Sequence, residues 1–232
     1  MSSIGAAGSA HLWLFGVLIP FVAIRSAAKL ETQPFPQKER HFTTQIVVLL
    51  VLFGISALVA AREGIDLFPA VAPAPGALAL GAALLAVLVT LMRPLWRRRV
   101  LERPRNLWLF MPRTPRERLL WIGCSIAAGV SEEVTYRGVM FTLLGRLNDG
   151  ALAAALVAAA VFSVAHVLQG WRSVAIIFAI ALLFQGLAWV SGSLYLPMIV
   201  HAAYDVIAGL TYGRYGEELG YPIDPQLPEP TS

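Results

Sequence analysis

The chain has 232 residues, of which 57% are hydrophobic and 14% charged, with a net charge of +4. A soluble domain carries about 25% charged residues, so this composition excludes a water-facing globular surface and predicts an all-α polytopic transmembrane bundle. The single cysteine, Cys124, excludes an internal disulfide or a cysteine-pair zinc site, and no basic stripe is interleaved with aromatics as nucleic-acid binding would need.

Taken from the N-terminus, nothing basic precedes Leu12, so the first apolar stretch reads as a retained span rather than a secretory leader. About 20 apolar residues cross a bilayer. Seven segments are candidates, near 5–24, 44–61, 76–92, 119–147, 151–168, 174–190 and 194–210, within a range of six to eight spans. The fourth is too long for an upright span, and Gly129 is its expected weak point. Pro69, Pro73 and Pro75 mark an external turn, and Glu63, Asp66 and Asp149 read as solvated loop residues. Trp96, Trp108 and Trp121 read as interfacial anchors beside an arginine-rich third connection.

Cations set the expected orientation. Arg25, Lys29, Lys38, Arg40, the nine arginines from Arg93 to Arg118, Arg172 and Arg214 fall on one side, and only Arg62 and Arg146 on the other. Fifteen against two places the N-terminus outside and the C-terminus in the cytoplasm of a plasma (inner) membrane. The expected division is 1–118 for the first spans and basic connection, 119–213 for a core, and 214–232 for a disordered tail rich in proline. No internal repeat or second domain is visible.

The unusual stretch is Ser131-Glu132-Glu133-Val134-Thr135-Tyr136-Arg137-Gly138. Charges at membrane depth are costly and face a protein interior or a wet cavity. Glu133 and Arg137 are four apart and share a helix face, so they can pair. Glu132 points about 100° away and is left free for chemistry. A carboxylate in a poorly solvated site suits a general base or acid near neutral pH. Two further apolar segments carry Phe162-x-x-x-His166 and His201-x-x-x-Asp205, so Asp205 can orient the His201 ring or share a ligand with it. His11 and His41 read as incidental, and Cys124 as a small buried hydrophobe. The depth of Glu132, some 13 residues into its span, conflicts with a His166 near the end of its own. Either the fourth segment crosses only from about Ile122, or the chain after His166 stays buried to about Trp171.

Glu-Glu-x-x-x-Arg, Phe-x-x-x-His and His-x-x-x-Asn/Asp, in this order on membrane helices, resemble the CPBP intramembrane proteases, which include the type II CAAX prenyl endopeptidases and bacterial relatives. The resemblance covers about 119–210. It implies hydrolysis of a peptide bond in a membrane-associated or lipid-modified substrate. Glu132 and His166 would activate water, Glu133 and Arg137 would form a supporting pair with Phe162 beside them, and His201 with Asp205 would stabilise the oxyanion. The prenyl proteases have Asn where this chain has Asp205, and an ionised carboxylate has no proton to donate. No obligatory cofactor is expected; the alternative is a divalent metal such as zinc on Glu132, His166 and His201. The expected partners are a peptide or protein substrate and membrane lipids, with no nucleic acid. A proton- or ion-coupled transporter and a non-catalytic scaffold or immunity protein are the alternative readings.

Overall fold

A computed structural model describes residues 4–30, 34–70, 72–148 and 150–222. Among them the regular structure is entirely helical. The long helices follow the seven apolar segments in order: α1 is Ala6–Lys29, α2 Lys38–Glu63, α3 Pro75–Glu102, α4 the unbroken run 115–148, α5 Ala151–Ala165, α6 Trp171–Ser191 and α7 Tyr195–Glu218. By length and hydropathy α1, α2, α3 and α6 suffice to cross a bilayer, and α5 is a shorter apolar helix. α4 and α7 are where polar side chains interrupt the apolar pattern. Large apolar side chains such as Val17 and Phe21 of α1, and Val47, Leu50, Val51 and Leu58 of α2, point outward. Water would not tolerate so continuous an apolar exterior, and hydrocarbon does. The protein is a membrane-embedded helical bundle.

Local chemistry explains the irregular turns. Pro20 has no N–H for the preceding turn of α1, and a π turn over Leu14–Leu18, with Ile19 N–H reaching Leu14 O, absorbs the defect. α4 starts at Pro115, a residue suited to a first helical turn. Thr114 Oγ1 accepts from Glu117 N at 3.1 Å, and Glu117 returns a carboxylate oxygen to Arg113 N at 2.8 Å. At about 1.5 Å per residue, α4 is roughly 50 Å long. It is the central element, flanked by α2 and α7, with its second half against α5.

Gly129 is not a break in α4. It is a point of close approach to α7, where a Cβ would lie 2.8 Å from Ala202 N and 2.9 Å from Met198 O. Two residues on, Ser131 Oγ donates to Leu49 O of α2 at 2.8 Å, so α4 is fixed on both flanks.

The basic connection between α3 and α4 is folded. Leu107, Trp108, Leu109 and Met111 form a small core with Val100 and Tyr221. Trp96 and Trp108 are 2% and 8% exposed, so they are core residues and not interfacial anchors, while Trp121 is half-buried against α7. The outward tryptophans are Trp13, Trp171 and Trp189. Lys38 Nζ donates to Met111 O at 2.8 Å and lies 4.6 Å from the Trp108 ring centre. Asn106 Nδ2 donates to Leu168 O at 2.7 Å, which roofs the turn after His166. The chain after His166 therefore stays covered before α6 begins, and this relieves the conflict of depth with Glu132.

Two further expectations change. Glu63 is not a solvated loop residue: its carboxylate accepts from Gly8 N at 2.8 Å and Gly5 N at 3.2 Å, capping α1, and pairs with Arg146 at 3.4 Å. Arg214 begins no disordered tail, because α7 runs through Glu218 and Tyr221 is buried, its hydroxyl donating to Pro104 O at 2.8 Å. Asp149 and the tail from 223 lie outside the described residues.

The α4–α7 contact sets a test. Replacing Gly129 with Leu overpacks a backbone-to-backbone contact, at a cost of about 1–3 kcal/mol or more. Thermal unfolding in detergent will show a lowered midpoint for Gly129→Leu and a smaller drop for Gly129→Ala.

Candidate active site

α4, α5 and α7 each bring part of one polar cluster into the apolar bundle. On α4 the regular helix ends at Glu132, and a π segment runs over Glu133–Met140, closed by Phe141 N–H to Tyr136 O. Such widened turns are frequent at functional sites. Every side chain of the segment is buried. Thr135 Oγ1 does not bond back to its own helix; it lies 2.9 Å from Ser56 Oγ of α2, which in turn is 3.2 Å from His11 Nε2 of α1. His11 is thus not incidental, because it ends a buried polar chain that ties α1 and α2 to the π segment. His41 is outside the cluster, half-buried beside Phe42.

Glu133 is wholly buried. Its Oε1 lies 3.1 Å from Arg137 Nη1, and the same oxygen accepts from His201 Nδ1 at 2.8 Å. The pair anticipated from the four-residue spacing is present, and it has a second task. An ionised carboxylate only accepts, so Nδ1 of His201 carries the proton and Nε2 faces the other way. Arg137 Cζ stands 4.3 Å from the Phe162 ring centre and 5.9 Å from that of Phe184, so two aromatic faces cover the desolvated guanidinium.

His166 caps the C-terminus of α5. Its Nδ1 donates to the Phe162 carbonyl at 2.8 Å, which leaves Nε2 directed away from the helix. The Phe162 ring packs 4.4 Å from the His166 ring and edge-on to Tyr136 and His201. The four-residue spacing of Phe162 and His166 therefore serves through a main-chain carbonyl as well as a ring contact.

The two free imidazole nitrogens converge. His166 Nε2 is 3.6 Å and His201 Nε2 3.7 Å from Glu132 Oε2, and Asp205 Oδ2 is 3.5 Å from His201 Nε2. Glu132 Oε2 is buried and has no hydrogen-bond donor within reach among the described residues. Exposure is graded: Glu133, Arg137 and His201 are sealed, while the side chains of Glu132, His166 and Asp205 are 18%, 21% and 31% exposed. One edge of the cluster is closed and the other is open. Glu132, His166, His201 and Asp205 are all brought together, and Glu133, Arg137 and Phe162 lie immediately behind them.

Two neutral imidazoles and a carboxylate are chemically suited to zinc. Among the described residues, however, no group of three or more His, Cys, Asp or Glu is disposed around a single metal position, so no step is derived through a metal.

Sequence reasoning does not single out Phe184 and Ser56, which lie in continuous apolar runs and carry no spacing signal. Trp121 is read as an interfacial anchor, yet its Nε1–H donates to Asp205 O at 2.9 Å.

The sealed ion pair sets the second test. Arg137→Met leaves Glu133 buried without its cation, and breaking a buried pair costs about 3–5 kcal/mol. Unfolding of the purified variant in a denaturing detergent will show that loss, and the double variant Glu133→Gln/Arg137→Met will recover part of it.

No curated protein and no solved structure matches the chain. A family model does match: type II CAAX prenyl endopeptidase Rce1-like, over residues 114–207. That segment contains α4 from its capping residue Thr114, all of α5 and α6, and α7 through Asp205. Every side chain of the cluster lies within it. Over residues 114–207 this membrane-embedded chain is similar to the type II CAAX prenyl endopeptidases, a group of the CPBP intramembrane proteases.

Proposed function

We propose that the protein is an intramembrane endopeptidase that hydrolyses a peptide bond of a membrane-associated or lipid-modified substrate, with Glu132 as general base. The observation that carries this reading is the convergence of His166 Nε2 and His201 Nε2, at 3.6 and 3.7 Å, on one oxygen of Glu132. These separations exceed direct hydrogen-bond reach, and a water lying beside the pair, rather than in line between them, can contact both groups. A water held by Glu132 and His166 gives its proton to Glu132 as its oxygen attacks the scissile carbonyl. Glu132 then passes that proton to the leaving amine, so no proton is left in the apolar interior.

The tetrahedral oxyanion forms on the His201 side. As an imidazolium held at Nδ1 by Glu133, His201 presents Nε2–H to the new negative charge, and a preorganised donor in a dry site contributes several kcal/mol. Asp205 as a carboxylate is no donor. It holds the Nε2–H of His201 at 3.5 Å until substrate arrives. The open edge at Glu132, His166 and Asp205 lies at the same end of the bundle as the basic connection. On the distribution of cations this end is cytoplasmic, with the N-terminus outside and the C-terminus inside a plasma membrane. The donors of the cluster are side chains alone, and the reading requires no metal.

In membrane vesicles, Glu132→Ala and His166→Ala will each lower cleavage by about 100-fold or more, and His201→Ala comparably, without loss of folded protein. The readout is the set of membrane peptides cleaved with wild-type but not with Glu132→Ala protein, followed by rates on one of them. Cleavage that survives Glu132→Ala overturns the reading. Metal chelators will leave the wild-type rate within about two-fold, and a rate abolished by chelation and restored by zinc would assign the chemistry to a metal instead.

A further inference from the structure

Asp205 is held from a direction that none of the three motifs specifies. Its main-chain carbonyl accepts a hydrogen bond from Trp121 Nε1, at 2.9 Å, across the α4–α7 interface. A carbonyl inside a helix already receives the N–H four residues on, and its second lone pair is the one available to a side chain. The indole reaches it because residue 209 is glycine: a Cβ on Gly209 would coincide with the Trp121 ring atoms. On its other side the ring is braced by Phe42 of α2, edge-on at 5.5 Å between centres. The donor is therefore fixed by three helices.

Trp121 and Glu132 are eleven residues apart on α4. At 3.6 residues per turn that is close to three whole turns, so both project from the same helix face. The interval lies within the regular α-helical part, before the π segment begins. One face of α4 thus carries the carboxylate on which His166 and His201 converge and the donor that grips the turn of α7 next to His201.

We propose that Trp121 is a positioning residue for the reaction: through the carbonyl of Asp205 it sets the axial register of α7 against α4, and so the distance from His201 and Asp205 to Glu132. It touches neither substrate nor the reacting atoms. A slip of α7 along α4 would move His201 Nε2 and Asp205 together and leave Glu132 with His166 alone. The proposal rests on the peptidase reading for its kinetic consequence but not for the bond itself.

The experiment uses the full-length protein in detergent micelles. Trp121→Phe keeps an aromatic ring on the side of Gly209 and Phe42 and removes the N–H together with part of the ring volume. Gly209→Ala keeps the indole and displaces it. Two readouts are taken, hydrogen exchange of the backbone amides in 205–213 and steady-state kinetics on a cleavable membrane peptide. Both variants are expected to speed exchange in that segment several-fold. Each lowers kcat by about 10-fold with KM within about two-fold, a typical cost for the loss of a group that orients a reacting side chain. Unchanged exchange in Trp121→Phe overturns the proposal, as does a loss that falls on KM alone. Should Glu132→Ala retain cleavage, the peptidase reading fails, and the exchange measurement still decides whether the indole bond holds α7 in register.

Discussion

A single desolvated ion pair governs the design of this bundle. Glu133 and Arg137 lie side by side with side chains almost completely sealed from solvent, in a protein whose exterior is apolar. Two bare charges there would cost several kcal/mol each, and their mutual attraction offsets this only when further polar contacts are supplied. Here those contacts come from different helices. His201 of α7 donates to Glu133, and Phe162 of α5 and Phe184 of α6 turn their ring faces to Arg137. Satisfying one pair therefore recruits α5, α6 and α7 around α4.

Close packing makes that recruitment possible. Gly129 admits the backbone of α7 and Gly209 admits the Trp121 ring. Without lipid-excluding burial to drive helices together, contact at this range and interhelical hydrogen bonds supply the association. Ser131 to Leu49 and Thr135 to Ser56 serve the α2 side of α4, and Lys38 holds the basic connection through Met111. Several of these partners lie outside 114–207. The segment that carries the chemistry is thus held in shape by the helices before it, and the arginine-rich connection is a folded roof over the turn at His166.

Much of this was legible in the sequence because the physical signals were local. Apolar runs located the seven helices, since a helix in hydrocarbon must satisfy its own backbone. The four-residue spacings of Glu133 with Arg137, Phe162 with His166 and His201 with Asp205 placed each pair on one helix face, and the folded protein keeps each pair in contact. Readings that depended on a distant partner went astray. Gly129 read as a weak point because a lone glycine favours breaks, whereas the approach of α7 makes the missing Cβ a packing requirement. Glu63 read as a loop residue because its partners, Gly5, Gly8 and Arg146, lie more than fifty positions away. Trp96 and Trp108 read as anchors because tryptophan beside arginine is typical of an interface, yet the connection folds over them.

By itself, then, the sequence determined the class of the protein, its helices and the polar groups placed at membrane depth. The reason is that hydrocarbon penalises every unsatisfied backbone or charged group, residue by residue. Only the tertiary structure decided how those groups meet. Glu133 binds His201 as well as Arg137, two imidazole nitrogens face one oxygen of Glu132, and Trp121 grips the carbonyl of Asp205. These relations depend on the rotation and register of one helix against another. Both are set by summed small contacts between residues far apart in the chain, which no local pattern encodes.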